Sequence, residues 1–225
     1  MKKFAVLGAT GETGQQLLKL ALGEGHEVVA LCRNPSGLNV THEKLKAVQA
    51  DVFSIDSLKQ HFVDCDAIFS CLGRSTSYTR LESTFYCDTM KVITQAMREA
   101  EIKRLVCMTS WATDYRRSEP GTFLVERVLK PFMRLTIGRI LDDMQRMERY
   151  LIDDCQDLNY TIVRPPGLTN GPLSGAAVEC EQEGQYVYSV SWRRIWMSRA
   201  DVANFMLSTL NSADHDQKTV AIAVL

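Results

Sequence analysis

Between residues 8 and 14 the chain reads Gly8-Ala9-Thr10-Gly11-Glu12-Thr13-Gly14, and no other stretch constrains the fold as strongly. It follows the short apolar run Lys3 to Leu7, which reads as a strand. It precedes Gln15 to Leu22, where Leu17, Leu18, Ala21 and Leu22 fall on one side of a helix. A glycine-rich turn in that setting lets the backbone approach a phosphate closely, and it aims free N–H groups and the positive helix end at the anion. The plainer alternative is a turn that only packs the strand against the helix. Its place inside a strand–turn–helix unit favours the first reading. On that reading Gly8, Thr10, Gly11, Glu12, Thr13 and Gly14 hold the pyrophosphate of NAD(P).

Strand and helix signals then alternate along the chain. Further strands are expected at Glu27–Cys32, Lys46–Ala50, Asp66–Leu72, Arg104–Thr109 and Tyr160–Arg164. Helical patterns cover Asp56–Val63, Ser83–Ala100 and a stretch within Gly121–Asp154. This rhythm implies right-handed βαβ units and a parallel sheet covered on both faces, a Rossmann-type doubly wound α/β fold. After Pro165-Pro166-Gly167 the pattern loosens into a small substrate-side elaboration. A hairpin-like pair is expected within Ala177–Ser191, a helix at Arg199–Leu210 and a last strand at Thr219–Val224. No repeat or low-complexity linker divides the chain, so residues 1–225 read as one domain.

Composition narrows the function class. A chain of 225 residues with 45% hydrophobic content can bury a full core. Its formal net charge of −1 gives no broad basic field for nucleic acid or an anionic membrane. No apolar stretch approaches the roughly 20 residues of a membrane span. Met1-Lys2-Lys3 leads straight into the first strand, without a signal peptide. The seven cysteines include no Cys-x-x-Cys pair, and several lie in apolar strand patterns. They suit small buried thiols in a reducing compartment better than disulfides or a metal site. A soluble cytoplasmic protein is the expectation.

The second strand bears on which dinucleotide is bound. NAD sites place a carboxylate near its end to hold the ribose 2′-hydroxyl. Here the strand ends in Arg33, where a guanidinium would pair with a 2′-phosphate and favour NADPH. An exposed arginine at a strand end is also common without any ligand. Asp51 and Val52, after the third strand, would sit beside the adenine. Leu72 and Gly73, after the fourth, would let the backbone pass near the ribose and pyrophosphate.

Together these segments resemble the atypical short-chain dehydrogenase/reductases of the NmrA-like NAD(P)-binding family, and most of all the NADPH-dependent flavin reductases, also known as biliverdin-IXβ reductases. The matching segments are Gly8–Gly14, Arg33, Asp51-Val52, Cys71-Leu72-Gly73, Met108-Thr109-Ser110, Asp142-Asp143, Tyr160–Pro166, Gly171–Gly175 and Ser198–Ala203. The resemblance implies an NADP(H) site that includes Thr109. It implies Pro165, Pro166, Gly167 and Leu168 along the nicotinamide, although a plain turn also suits that run. It implies Ser110 as the active-site serine, where the residues alone suggest only a strand-end cap. Trp111 is either a pocket wall or a core aromatic.

The departures matter as much. Conventional short-chain dehydrogenases use a tyrosine with a lysine four residues on, and none of the seven tyrosines here has that lysine. In the closest reductases a histidine follows the Asp-Asp pair, and this chain has Met144. Glu148, one helical turn on, is either a partial substitute or a structural carboxylate. The apolar run Phe123–Leu141 reads as a core helix, with a lid or a protein-contact patch as alternatives, and Pro131 is expected to interrupt it. Two functions follow from the resemblance. One is hydride transfer from NADPH to a planar acceptor such as a flavin or a linear tetrapyrrole. The alternative is a non-catalytic NADP(H)-sensing regulator that acts on a protein partner.

Overall fold

A computed structural model describes residues 1–73, 84–116, 125–188 and 195–225. The central strands are β1 (Lys3–Leu7), β2 (Glu27–Cys32), β3 (Leu45–Gln49), β4 (Ala67–Ser70), β5 (Arg104–Met108) and β6 (Asn159–Arg164). Short strands β7 (Gly167–Thr169), β8 (Val178–Gln182) and β9 (Trp196–Ser198) follow, and β10 (Lys218–Val224) comes last. The helices are α1 (Glu12–Gly23), α2 (Ile55–Phe62), α3 (Phe85–Glu99), α4 (Lys130–Asp154) and α5 (Arg199–Ser208). Eight strands form one sheet in the order β3-β2-β1-β4-β5-β6-β10-β8. All of its pairings are parallel except that of β8 with β10. This is a doubly wound α/β fold, and the strand order reverses between β1 and β4.

The period-two alternation of the strands builds two apolar layers. From β1 and β2, Ala5, Leu7, Val29 and Leu31 face the layer that holds Met90, Ile93 and Leu151 of α3 and α4. Phe4, Val6, Val28 and Ala30 face Leu17, Leu18, Val202 and Met206 of α1 and α5. The strands therefore read as continuous apolar runs, as a sheet covered on both faces requires. Helix α1 ends in a left-handed cap. Gly25 has φ +83°, and the His26 and Gly25 N–H groups donate to the Ala21 and Leu22 carbonyls.

The segment after β6 departs from expectation. Val178–Gln182 pairs with β10 instead of folding back as a hairpin. Glu183 adopts φ +60° and turns the chain inward, where Gln185 takes the N–H groups of Ala112 and Asp114. Gly167–Thr169 and Trp196–Ser198 form a separate parallel pair. Pro131 does not break the long helix. It falls where a π-type turn at Val125–Leu129 passes into α4, a point that accommodates a residue without an N–H. The kink lies at Ile137, with φ −131° and ψ 16°. Ser83 and residues 121–124 and 189–191, assigned above to elements, lie outside the described residues.

A core-helix reading of the apolar run is only half right. Ile140 and Leu141 are buried, but Val128, Phe132 and Leu135 are 53%, 62% and 86% exposed. No described helix is long and apolar enough to cross a membrane.

Candidate functional site

The parallel strands bring the expected cofactor residues to one edge of the sheet. Arg33, Asp51, the glycine turn, Leu72-Gly73, Ser110 and Pro165 each follow the carboxyl end of a strand. In space their order matches the strand order from β3 to β6. The reversal between β1 and β4 places the glycine turn at the switch point, where open α/β sheets form their ligand crevice.

Each glycine of the turn has a separate steric reason. Gly8 has φ +73°, and a Cβ there would stand 2.4 Å from the Cys71 carbonyl oxygen. A Cβ on Gly14 would stand 2.3 Å from the Gly8 oxygen, so this glycine lets α1 close onto the turn. At Gly11 a Cβ would stand 3.1 Å from the Gly8 oxygen and φ is −71°, a tight fit that a shift of a few tenths of an ångström would relieve. Gly11 caps α1 without a side-chain hydrogen bond, which leaves the first-turn N–H groups at Glu12, Thr13 and Gly14 open to an anion. Gln15 steadies the turn by donating to the Thr10 carbonyl.

Around this centre the other residues are fixed locally. Arg33 is exposed and makes no hydrogen bond or ion pair with a described residue. The turn behind it is closed by Asn34, which accepts from the Ser36 N–H, and Gly37 lies against Thr10. That contact keeps the Arg33 loop beside the glycine turn. Asp51 accepts from the Phe53 N–H, its own N–H donates to Ser57, and Val52 is buried beneath it. Gly73 is exposed, with open space around its Cα.

At the ends of β5 and β6 the structure separates roles the sequence left merged. Ser110 is half-buried, and its hydroxyl makes no hydrogen bond to a described residue. The buried Thr109 hydroxyl donates to Glu148 Oε1 at 2.7 Å, which leaves only the backbone of this residue to face a cofactor. Glu148 is in turn clamped by Arg164 at 2.6 and 3.1 Å, and Arg164 also donates to the Gly184 carbonyl. Glu148 is therefore a structural carboxylate. It ties α4 to the ends of β5 and β6 beneath the crevice floor.

Trp111 is a core aromatic. Its indole N–H donates to the Ile222 carbonyl, its backbone N–H donates to Pro165, and it packs beside Tyr186. Pro165 and Pro166 are buried. Gly167 and Leu168 enter β7, so they form a strand and not a turn. The Asp-Asp pair also resolves. Asp143 is fully buried and accepts from the Tyr86 and Cys87 N–H groups at the start of α3, while Asp142 holds the Tyr115 hydroxyl. Met144 packs at the margin of the first apolar layer.

Several thiols lie near the sheet, and none suits a nucleophile. Burial pushes Cys71 up to about 12 and raises Cys107 further. No group of three potential metal ligands occurs among the described residues. A hollow of about 330 Å³ does open at the opposite, amino edge of the sheet. Its Arg104 is already spent on Thr161, Thr209 and the Asn159 carbonyl, and none of the residues above reaches it.

Three features escaped the sequence reading. Trp196 is 60% exposed and lies so close to Gly167 that a Cβ there would stand 2.6 Å from the indole. Arg199 and Asn170 both bond Glu12 at the mouth of the crevice. The one legible signal was Ser198-x-x-Asp201, a capping box that fixes where α5 begins.

Over residues 8–213 the sequence matches the family described as NAD(P)H-binding. The chain belongs to that family. Among its relatives, an oxidoreductase of Pestalotiopsis microspora is 22% identical, covering 99% of this chain and 85% of the relative. The oxidoreductase aflX of Aspergillus parasiticus is 24% identical, over 97% and 80%. Among solved structures, a short-chain dehydrogenase/reductase (wide type) of Veillonella parvula in complex with NADP superposes with a TM-score of 0.73. It is 19% identical, over 98% of this chain and 94% of that one. A candidate NADH-flavin reductase of Streptococcus pneumoniae gives 0.75 at 17% identity over the whole of both chains. These likenesses agree with the Rossmann fold built above.

Proposed function

We propose that the protein is an NADPH-dependent reductase that passes hydride to a planar acceptor such as a flavin or a linear tetrapyrrole. The observation that carries this reading is the Ser110 hydroxyl, unengaged at the carboxyl end of β5, with no tyrosine–lysine pair in the sequence to serve a conventional alcohol or ketone reaction. The cofactor would lie with its pyrophosphate on the open N–H groups of α1, its 2′-phosphate toward Arg33 and its nicotinamide toward Ser110 and Gly167-Leu168. When bound it supplies the hydride.

The chain's own residues orient. Ser110 is placed to donate a hydrogen bond to the acceptor or the carboxamide, and Glu148, through Thr109, keeps the β5 end in position. A ring nitrogen that accepts hydride needs no dedicated protein acid, so stacking and alignment suffice. The oxidoreductase names of the fungal relatives support the reaction class.

A second reading, an NADP(H)-sensing regulator that binds a protein partner, draws on the exposed Val128, Phe132 and Leu135 of the π-type turn and α4. NADPH oxidation with FMN or riboflavin decides between them. Turnover that slows only several-fold in Ser110→Ala is the expected result, the scale of one neutral hydrogen bond. Tight cofactor binding without turnover on flavins or tetrapyrroles would favour the regulator.

A further inference from the structure

At the mouth of the crevice three side chains close a ring. Arg199 Nη2 lies 3.0 Å from Glu12 Oε2. Arg199 Nη1 donates to Asn170 Oδ1 at 2.6 Å, and Asn170 Nδ2 donates to Glu12 Oε1 at 3.0 Å. The three come from the first turn of α1, the residue after β7 and the first residue of α5.

The backbone from which Arg199 projects is fixed by the cap of α5. The Ser198 hydroxyl accepts from the Asp201 N–H and donates to Asp201 Oδ2 at 2.7 Å. Ser174 fastens the same carboxylate through its N–H and its hydroxyl, both at 2.9 Å. The Glu12 carboxylate is itself 59% exposed, and an ion pair so open to water adds little to stability. Its place in the fold gives it a different use.

Glu12 is the acidic residue of the first turn of α1. In the empty protein its charge suits the positive helix end. A pyrophosphate on the same N–H groups brings like charge close to that carboxylate, and the two repel. We propose that Arg199, oriented by Asn170, is the counter-charge that lets an acidic first turn hold the dinucleotide pyrophosphate. It is a positioning residue, acting on the phosphates through Glu12. The proposal rests on the pyrophosphate lying at α1.

Two consequences separate this role from others. Its effect falls on phosphates that NADPH and NADH share, so both cofactors lose the same factor. It also acts through Glu12, so removing the carboxylate together with the guanidinium restores binding. A direct Arg199–phosphate contact predicts no such rescue.

Calorimetric titration of both cofactors, with thermal melts alongside, tests the proposal. Arg199→Ala is expected to weaken NADPH and NADH alike by about tenfold, the scale of one nearby unit charge at partly solvated distance. The double variant Glu12→Gln with Arg199→Ala is expected to return to within about twofold of the unmodified protein. Glu12→Gln alone leaves Arg199 facing the phosphates and is expected to tighten both cofactors a few-fold, so the test stands even if Arg199→Ala folds poorly. Unchanged binding in Arg199→Ala, or a double variant as weak as the single, overturns the counter-charge role. Gly11→Val serves as the separate control. If it binds normally, the pyrophosphate placement itself fails. If it loses binding while Arg199→Ala does not, only the counter-charge role fails.

Discussion

Arg33 stands at the end of β2 with its guanidinium unengaged by any described residue, while the loop behind it is pinned to the glycine turn through Gly37 and Thr10. An uncommitted guanidinium at this strand end is suited to a 2′-phosphate. Arg33→Glu is therefore expected to reverse or abolish the preference for NADPH over NADH. One charge-assisted contact is worth roughly 1.5–3 kcal/mol, or about ten- to a hundredfold in affinity. Calorimetry on the unmodified protein provides the check, and equal affinity for the two cofactors would sink the assignment. Legibility at this scale divides by what a residue does. The positions of Arg33 and Ser110 could be read from the sequence because each follows a strand end, which the apolar pattern marks. The roles of Glu148, Thr109 and Asp143 could not. Each depends on partners 16 to 57 residues away, and a carboxylate on a helix looks the same in sequence whether it is solvated or clamped by a buried arginine.

Among the elements, the strand–turn–helix unit of β1 and α1 makes the sharpest distinction between folding and binding. Gly11 has an ordinary backbone conformation and a 3.1 Å clearance to a single carbonyl oxygen, so Gly11→Val is expected to fold and to lose dinucleotide binding. Gly14→Val meets backbone at 2.3 Å and is expected to lower the melting temperature or prevent folding altogether. Circular dichroism melts with cofactor titration separate the two. A Gly11→Val protein that still binds would remove the glycine turn from the site. Most elements were legible because apolar runs and helical faces repeat over five or more residues. The β7–β9 pair was not, since strands of three residues are too short for any periodicity to register. Helix α4 misled for a related reason. Its apolar spacing suits burial along its whole length, but the kink at Ile137 leaves Phe132 and Leu135 in solvent.

At the scale of the whole molecule, the doubly wound sheet keeps its titrating histidines away from the crevice. His61 lies near the end of α2 and His215 just before β10, both toward the amino edge, whereas the proposed cofactor residues follow the carboxyl ends of the strands. Burial lowers the pKa of both below the usual imidazole value of about 6.5, helped by Lys46 at His61 and, against the opposing Asp214 and Asp216, by Lys218 and Arg104 at His215. Between the depressed folded values and 6.5 the unfolded chain holds more protons than the folded one. Stability therefore rises with pH through that window, is complete above about 6.5 and falls as the pH drops below it. Catalysis has no counterpart to this change. The proposed site contains Ser110, backbone groups and arginine, none of which titrates near neutrality. The melting temperature is thus expected to fall on acidification from about pH 7 to 5.5, while kcat/KM of the folded enzyme stays nearly flat over the same range. Parallel melts and initial-rate flavin reduction at each pH measure the two curves. A bell-shaped rate profile would mean that a proton-transfer group acts in the crevice after all. A melting temperature indifferent to pH across the window would mean that the two half-buried histidines do not couple folding to protons.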